Sequence, residues 1–547
     1  MDQLPLEEKI KQYQREAQER EAKYLAEKYN LEYLDLLMYP IDPEALTLLE
    51  KEIIEKDKIL PFYHTPRKIY FGVINPENPK LKEIVSQFKK KGYQTKIYVV
   101  TPWAFEEVLK KFQIGKKKRK VLAKRLEIEK EIFKKYQKEI KSFKDLEKIF
   151  LSLKKEEASK ALEIILAGGI NFSASDIHFE PKKENLLLRY RIDGILYELG
   201  KLSLEVWKLL LLKLKVLAGL KINISDRPQD GRFSIILDSK TIEVRVSSIP
   251  SQYGEMVVLR ILDPEMILLD LQDLGLEKED LKVVKEIIKR PHGLILNTGP
   301  TGSGKTTTFY AILNYLKSPE KKIITVEDPI EYRLEGIDQT QVDPSSGYNF
   351  ATALKFLLRH DPDVILVGEI RDEETAEITL QASLTGHLVL STLHTNDASG
   401  AIPRLVDLKV DPKTIASALN LVIAQRLVRR VCEKCSEEVE PTEEDLKKIK
   451  KLFKEEELKK FGKIKLKKPK GCLECNFLGY KGRIGIFELL LVDEEFQAQI
   501  EKDPSYLAIL KLFEKKGFKS LAKDGILKTL KGITTLEEVE RVCGLIQ

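Results

Sequence analysis

The spacing of apolar residues changes its period several times along the chain. After residue 150, a helical segment at Glu156–Leu166 is followed by four runs in which apolar and polar residues alternate. These runs, separated by turn signals such as Asp193-Gly194 and Asp230-Gly231, are Leu186–Tyr190, Arg232–Leu237, Thr241–Val246 and Met256–Ile261. Beyond residue 269, short apolar runs alternate with helical segments, which predicts a largely parallel sheet covered by helices.

These changes of pattern predict five segments. They are a first N-terminal domain over 1–112, a charged helical linker over 113–150, a second N-terminal domain over 151–268, an α/β core over 269–430 and a helical C-terminal region over 431–547. In the first domain, a helix at Leu81–Lys91 between strands at Lys68–Ile74 and Thr95–Thr101 predicts a βαβ-like unit. The basic run Lys116–Lys120 in the linker is interpreted as a solvated face, with contact to an anionic membrane surface as the alternative.

Composition and charge narrow the possible functions. The 547 residues carry 93 basic and 86 acidic side chains, and the formal net charge of +7 is too small to argue for nucleic-acid binding. No run reaches the roughly 18 apolar residues that a membrane span needs, and Met1–Glu8 does not resemble a signal peptide. We therefore expect a soluble, cytoplasmic protein whose membrane contact is peripheral and made through partners.

One segment matches the pattern G-x-x-x-x-G-K-[ST] at every fixed position. An apolar strand at Leu294–Asn297 precedes it and a helical segment at Thr307–Leu316 follows it. Glycines in this position allow backbone N–H groups to surround phosphate oxygens at a helix N-terminus. We predict binding of ATP, with Lys305 on the β- and γ-phosphates and the Thr306 hydroxyl on Mg²⁺. The binding residues are Gly299, Pro300, Thr301, Gly302, Ser303, Gly304, Lys305, Thr306 and Thr307.

Acidic and histidine residues follow other strands of the predicted core. Glu369 ends the apolar run that begins at Val364, and Glu327 ends the run that begins at Ile323. Two acidic strand ends near one phosphate loop suit one metal-positioning and one water-activating role; the alternative is that one of them only caps the next segment. His387 and His394 flank a further strand, and we expect them to sense the γ-phosphate or to couple to a neighbouring subunit, with satisfied core histidines as the alternative.

Four of the five cysteines form two C-x-x-C pairs. They are Cys432 and Cys435, then Cys472 and Cys475, with 36 residues between the pairs. In a reducing compartment four thiolates suit a tetrahedral zinc ion, and a charged helical excursion at Glu443–Lys460 fills the gap. We predict a structural zinc site; unligated or redox-active pairs are the alternative.

Taken together, these motifs resemble the type II/IV secretion-system ATPases, which assemble pili and drive secretion. Four boxes of that family occur in order: the Walker A loop at Gly299–Thr306, the Asp box at Thr325–Glu331, the Walker B box at Ile365–Glu369 and the His box at Thr385–Thr395. Ser175–His178, Arg191–Gly194 and Pro228–Arg232 are similar to the family's second N-terminal domain. The resemblance implies a RecA-like P-loop core, a PAS-like α+β second N-terminal domain, a small first N-terminal domain and a zinc-bearing helical C-terminal region.

The resemblance also implies roles for individual residues. Glu327 would polarise the attacking water, and Arg245 and Arg260 match two arginines that reach ATP from the second domain. A guanidinium suits this task because its fixed fork of donors fits the charge that spreads over a transferring phosphoryl group. Weaker candidates, with a structural role as the alternative, are Arg189, Arg227 and Arg232.

Partners follow from the resemblance as well. The expected protein is a homohexameric ATP hydrolase that moves an inner-membrane platform protein during type IV pilus assembly, with type II secretion as the alternative and a nucleic-acid motor as a further one. Retraction ATPases of the family are shorter and lack both the N-terminal extension and the cysteine pairs. The repeat by which some pilus ATPases bind cyclic di-GMP is not found in residues 1–112.

Overall fold

The chain folds into two compact units, Met1–Ala123 and Lys124–Gln547. The computed structural model describes residues 6–37, 41–42, 45–49, 51–64, 68–109, 125–128, 130–152, 158–237, 240–263, 269–343 and 346–545. The basic run Lys116–Lys120 lies outside these ranges. Within them, no helix combines the length and the apolar character that crossing a bilayer demands.

The first unit is a four-stranded sheet in the order β1-β4-β3-β2, covered by helices. Its strands are β1 (Glu32–Tyr33), β2 (Ile59–His64), β3 (Lys68–Val73) and β4 (Gln94–Val99). Its helices are Leu6–Lys28, Lys51–Asp57, Pro79–Lys90 and 102–109, with a 3₁₀ turn at Ala45–Thr47. Strands β3 and β4 are parallel, so the predicted βαβ unit is confirmed.

The second unit begins with a seven-stranded sheet in the order β5-β9-β10-β11-β6-β7-β8. We call this sheet, together with its helices, the second domain. Its strands are β5 (Arg125–Glu127), β6 (Ala174–Pro181), β7 (Asn185–Ile192), β8 (Ile195–Ser203), β9 (Gln229–Leu237), β10 (Lys240–Ser251) and β11 (Gly254–Leu262). Its helices are Lys130–Glu139, Phe143–Ser152, Ala158–Asn171 and Leu204–Ala218. Only the β5–β9 pair of this sheet is parallel.

Part of the segment expected to be a charged linker, 113–150, is built into the second domain instead. Strand β5 pairs with the edge strand β9, and Ile140, Leu146 and Phe150 are buried in the domain's hydrophobic core. These three apolar side chains pack into the core although many lysines surround them in the sequence. The long charged side chains can remain in water while the helix packs.

A second seven-stranded sheet forms the core, in the order β14-β13-β15-β16-β12-β17-β20. Its strands are β12 (Gly293–Thr298), β13 (Ile323–Glu327), β14 (Asp338–Gln341), β15 (Val364–Val367), β16 (Leu388–Leu393), β17 (Leu419–Val431) and β20 (Tyr480–Leu491). The helices up to β17 are Lys278–Ile287, Lys305–Leu316, Phe350–Leu357, Glu373–Leu384, Ala401–Asp407 and Pro412–Ala418, with a 3₁₀ turn at Leu358–His360. All neighbouring strands are parallel except β17 and β20.

The C-terminal region differs from the helical segment that the sequence predicts. Strand β20 belongs to the core sheet, where it pairs antiparallel with β17 over most of its length. Two short strands, β18 (Glu437–Val439) and β19 (Leu466–Lys468), form a separate ladder. The helices of this region are Glu443–Leu452, Glu455–Lys459, Glu494–Lys502, Tyr506–Lys515, Leu521–Leu530 and Leu536–Cys543, with a 3₁₀ turn at Leu473–Cys475.

Parallel pairing places the functional candidates of the core. The strands β12, β13, β15 and β16 all run in one direction, so their carboxyl ends share one edge of the sheet. Ligands of open α/β sheets bind outside this edge. The phosphate loop, Glu327, Glu369 and His394 each follow or end one of these strands.

Candidate functional site

The phosphate loop connects a fully buried strand to a helix. All six residues of β12 are buried, and the helix Lys305–Leu316 begins directly after Gly304, whose φ of 93° lies in the left-handed region that favours glycine. Gly299 has no room for a side chain, because a Cβ there would lie 2.6 Å from the carbonyl oxygen of Gln425. The loop therefore presents its backbone at the N-terminus of a helix, in the form that binds phosphate.

Lys305 folds back over this loop. Its Nζ donates to the carbonyl oxygens of Gly299 at 2.7 Å and Pro300 at 3.1 Å. Burial lowers the pKa of Lys305 to about 8, and the nearby Glu369 carboxylate opposes this change only in part. A bound anion would restore the usual pKa, so the loop has the charge preference of a phosphate site.

Gln425 holds the loop and was missed in the sequence. Its Oε1 accepts from Asn297 Nδ2 at 3.0 Å and from Thr308 Oγ1 at 2.8 Å, which joins the end of β12 to the helix after the loop. A signal for it was available, because Gln425 interrupts an otherwise apolar run, Leu421–Ala424, that continues at Leu427.

Glu369 and His394 come together at the same edge of the sheet. Glu369 Oε2 lies 3.4 Å from His394 Nε2, and its Oε1 forms an ion pair with Arg371. The Glu369 side chain is only 13% exposed, whereas that of His394 is 51% exposed. The carboxylate is thus fixed beside the phosphate loop and His394 is accessible to a ligand or to another chain.

His387 does not join this group. It precedes β16, whereas His394 follows it, and six residues of strand separate them, which is roughly 20 Å. Its Nδ1 lies 2.9 Å from the carbonyl oxygen of Ala382. The expected γ-phosphate contact therefore does not fit His387 in this chain, because the two ends of a strand face opposite edges of the sheet.

Glu327 lies at the end of β13 with three donors around it. The carboxylate accepts from Tyr310 Oη at 2.5 Å, Thr325 Oγ1 at 2.6 Å and Gln339 Nε2 at 3.2 Å. Burial raises the pKa of Glu327, and these three hydrogen bonds oppose that change. Only 4% of the residue is exposed, so these partners, which sequence reasoning missed, control the basicity of Glu327.

Arg245 and Arg260 lie directly opposite each other in the β10–β11 hairpin. Because residues that pair directly across two strands point to the same side, their side chains share one face of the sheet. Arg245 Nη2 donates to the Ile330 carbonyl oxygen at 2.6 Å, and its Nη1 lies 3.1 Å from Glu331 Oε2. Arg260 Nε donates to Asp176 Oδ1 at 2.9 Å. Arg245 thus contacts the loop that follows Glu327.

The weaker arginine candidates have different surroundings. Arg232 pairs in register with Arg245, which extends the arginine row onto β9. Arg189 forms an ion pair with Glu180 inside the second domain. Arg227 is exposed and its Nε lies 3.9 Å from Asp226. Of these three, only Arg232 lies in the row of Arg245 and Arg260.

The four cysteines of the two C-x-x-C pairs converge. Their sulfur atoms all lie within 4.8 Å of one another, and the Cys432–Cys472 and Cys435–Cys475 Sγ–Sγ distances are 3.9 and 3.8 Å. Four sulfurs about 2.3 Å from a central zinc ion in tetrahedral geometry would lie about 3.8 Å apart. Although burial acts in the other direction, the N–H groups of Cys472 and Gly479 lower the pKa of Cys475, which favours the thiolate that binds metal. The cluster fits a closed tetrathiolate site.

Comparison with known families identifies the chain. The family model described as "Type II/IV secretion system protein" matches residues 153–541, and the model described as "MshEN domain" matches residues 29–130. The chain belongs to the type II/IV secretion system protein family. The resemblance noted in the sequence is confirmed, and the family match covers the core and the part of the second domain from residue 153 onward.

Relatives in this secretion family are similar over different lengths. The type II secretion system protein E of Dickeya dadantii is 47% identical over 386 residues, covering 70% of this chain and 75% of that protein. The type IV pilus assembly ATPase PilB of Thermus thermophilus is 39% identical over 522 residues, covering 95% of this chain and 57% of that protein. This chain therefore spans little more than half the length of the pilus relative.

A solved structure supports the fold. The Legionella pneumophila ATPase DotB superposes with a TM-score of 0.51 at 21% identity, covering 70% of this chain and 94% of that one. At this identity the likeness shows the fold alone. The predicted α/β fold class with a RecA-like core is confirmed, and the family confirms the prediction of an ATP hydrolase.

Proposed function

We propose that the chain is a mechanical ATPase that acts as a homohexamer, at the cytoplasmic face of the inner membrane, to drive type IV pilus assembly. The observation that carries the proposal is the joining of the phosphate loop, Lys305, Glu369 and His394 at one sheet edge, with an arginine hairpin from a separate domain beside it. This arrangement suits a motor because hydrolysis then depends on how the second domain closes on the core.

The roles within the site follow from its geometry. The loop Gly299–Thr307 and Lys305 would hold the ATP phosphates, and the Thr306 hydroxyl together with Glu369 would hold Mg²⁺. The metal supplies charge neutralisation of the phosphates when it is bound. Arg371 and His394 fix the orientation of the Glu369 carboxylate. Its remaining oxygen lone pairs are suited to position the ion.

Glu327 is proposed as the residue that orients and polarises the attacking water. Its raised pKa brings it nearer to the operating pH, which is what a general base requires. The carboxylate is enclosed here by Tyr310, Thr325 and Gln339, and Gln339 also donates to the Tyr332 carbonyl oxygen in the loop after β13. We infer that movement of this loop would release Gln339 and admit water to Glu327. Arg245 is bonded to that loop at Ile330. Domain closure and base exposure would therefore be coupled through Arg245.

The N-terminal unit supports pilus assembly over protein secretion. The type IV pilus relative aligns over 95% of the chain, whereas the type II secretion relatives align over 70% of it. Type II secretion remains a second candidate function, because the secretion relative is 47% identical over the 386 residues that it shares with this chain. In either function we propose that an inner-membrane platform protein is the partner that the ring moves.

The function can be tested with Lys305→Ala in the native host and on purified protein. We expect loss of ATP turnover with retained folding, because Lys305 contacts loop carbonyls and not a hydrophobic core. In cells the variant should lose surface pili while secreted proteins still appear in the medium. The reverse pattern would assign the chain to secretion, and stimulation of turnover by single-stranded DNA would assign it to the nucleic-acid motors.

A further inference from the structure

Two sequence motifs have no part in the nucleotide site, and the structure brings them together. Asp193 and Gly194 form the turn between β7 and β8, and the segment 478–483, which we call the docking strap, leads into and begins β20. Asp193 Oδ2 accepts from Gly482 N at 2.8 Å, and its Oδ1 lies 3.8 Å from Arg483 Nε. The tip of the second domain is thus hydrogen-bonded to the C-terminal region.

A second contact lies beside the first. Tyr197 Oη accepts from Arg429 Nη1 at 2.9 Å. The guanidinium of Arg429 stacks on Tyr480, with 3.9 Å to the ring centroid, and its Nη2 lies 2.6 Å from Glu538 Oε1. Because Arg429 is held on three sides and only 13% exposed, it offers Tyr197 a fixed donor.

The docking strap is attached to the cysteine cluster. Gly479 N donates to Cys475 Sγ at 3.2 Å, and Gly479 O accepts from Cys432 N at 2.9 Å. The preceding residue, Leu478, packs against the hydrophobic core of the second domain. One strap therefore bonds to the metal-binding sulfur on one side and inserts an apolar side chain into the second domain on the other.

The second domain transmits this contact to its arginines through its sheet. Asp193 lies two residues beyond Arg191, and Arg191, Asp176, Arg260 and Arg245 follow one another in register across β7, β6, β11 and β10. Three steps between neighbouring strands span roughly 14 Å. A tilt at Asp193 consequently moves the arginine row, since hydrogen-bonded strands of one sheet move as a body.

We propose that the cysteine cluster, with zinc bound, is a seat for the second domain. The cluster fixes the docking strap, and the strap holds the second domain through its bond to Asp193 and the packing of Leu478. Together with the bond from Arg429 to Tyr197, this keeps the arginine hairpin against the loop after Glu327. Asp193 is a positioning residue in this scheme. Its effect on turnover rests on the proposed function, but the seating itself is a property of the fold and can be measured without hydrolysis.

The experiment uses the full chain and the matched variants Asp193→Ala, Leu478→Ala and Lys481→Ala. Lys481 lies in the strap but is exposed and pairs with Glu474, away from the second domain, so its variant is the control. Nitroxides on unnatural amino acids at the exposed positions Lys201 and Lys413 report the distance between the second domain and the core by pulsed electron resonance. Zinc content is measured in parallel by elemental analysis.

We expect a narrow distance distribution for the zinc-loaded chain and for Lys481→Ala. Asp193→Ala, Leu478→Ala and the chelated wild-type chain should give a broad, displaced distribution, and added zinc should restore the narrow one in the wild type only. An unchanged distribution after chelation, or in both Asp193→Ala and Leu478→Ala, would overturn the seating.

Turnover separates this inference from the proposed function. Asp193→Ala should lower kcat roughly tenfold or more, while the Kd for a fluorescent ADP analogue changes less than about twofold, because the phosphate loop is untouched. If the wild-type chain hydrolyses no ATP but the distance still depends on zinc and Asp193, the proposed function fails and the seating stands. If hydrolysis is normal but the distance distribution depends on neither zinc nor Asp193, the proposed seating is wrong.

Discussion

The hydrogen bond from Tyr310 is one of the contacts that lower the pKa of Glu327, and Tyr310→Phe tests its contribution directly. The substitution removes one of the three hydrogen bonds to the buried carboxylate and leaves the ring in place. A hydrogen bond to a charged group contributes about 1.5–3 kcal/mol. Because about 1.4 kcal/mol corresponds to one pH unit, the acidic limb of the kcat/KM profile should move upward by about one to two pH units.

The sign of the change follows from which form the hydroxyl stabilises. Tyr310 donates to the carboxylate and opposes the rise that burial causes, so its removal disfavours the charged form and raises the pKa of Glu327 further above its ordinary value. Below the new limb the rate should fall about 10- to 100-fold relative to wild type, and above it the two rates should converge. A raised folded pKa also means that the variant loses stability as the pH rises through that pKa, not as it falls.

The assay is steady-state ATP hydrolysis from pH 5 to 9, with Tyr332→Phe as the matched control. Tyr332 packs edge-on against Tyr310 at 4.9 Å between ring centroids, and among the described residues its buried hydroxyl has no hydrogen-bond partner. ATP titrates identically in every assay, so differences between variants belong to the protein. An unmoved limb in Tyr310→Phe, or an equal movement in Tyr332→Phe, refutes the role of this hydrogen bond.

Four further predictions follow. Glu327→Gln should bind nucleotide and fail to cleave it; wild-type turnover would remove Glu327 from the base role. Arg245→Ala and Arg260→Ala should each lower kcat at least ~100-fold, somewhat below what arginine fingers usually contribute, with a smaller loss of affinity in a fluorescent-nucleotide titration; unchanged turnover would make them structural. Elemental analysis should find one zinc per chain, lost in Cys432→Ser and Cys475→Ser, and a metal-free chain of full stability would contradict the site. Since burial lowers the pKa of Lys305 to about 8, nucleotide binding at pH 8.5 should take up protons, seen calorimetrically as a dependence of the binding enthalpy on buffer, and absent in Lys305→Ala.

Sequence patterns were sufficient to predict a site where its residues lie within one short segment. The phosphate loop follows from spacing alone, because the glycine positions and the apolar strand before them are local properties. The separation of His387 from His394 could also have been predicted from the sequence, since the two ends of a six-residue strand lie at opposite edges of the sheet. The expected γ-phosphate contact does not fit His387 for this reason, whereas its expected coupling to a neighbouring subunit stays a prediction.

Contacts between distant segments could not be predicted. Strand β20 pairs with β17 across the long cysteine-bearing insertion, and the sequence does not specify which edge a late strand will join. Likewise Tyr310 reaches Glu327 from a helix on the neighbouring face of the sheet. Helical period gives the face of Tyr310 but not the strand that this face covers.

The distribution of charge explains why domain closure and chemistry belong together in this molecule. Burial disfavours the charged forms of both Lys305 and Glu327. In the core without ligand, charging either side chain therefore costs free energy. Nucleotide phosphate offsets the first cost, because an anion beside Lys305 restores its charge. The second is offset only by donors that enclose Glu327, and these also exclude water. Under the proposed function, a movement of the loop after β13 would admit water to Glu327, and Arg245, which bonds that loop from another domain, would make this movement depend on domain position.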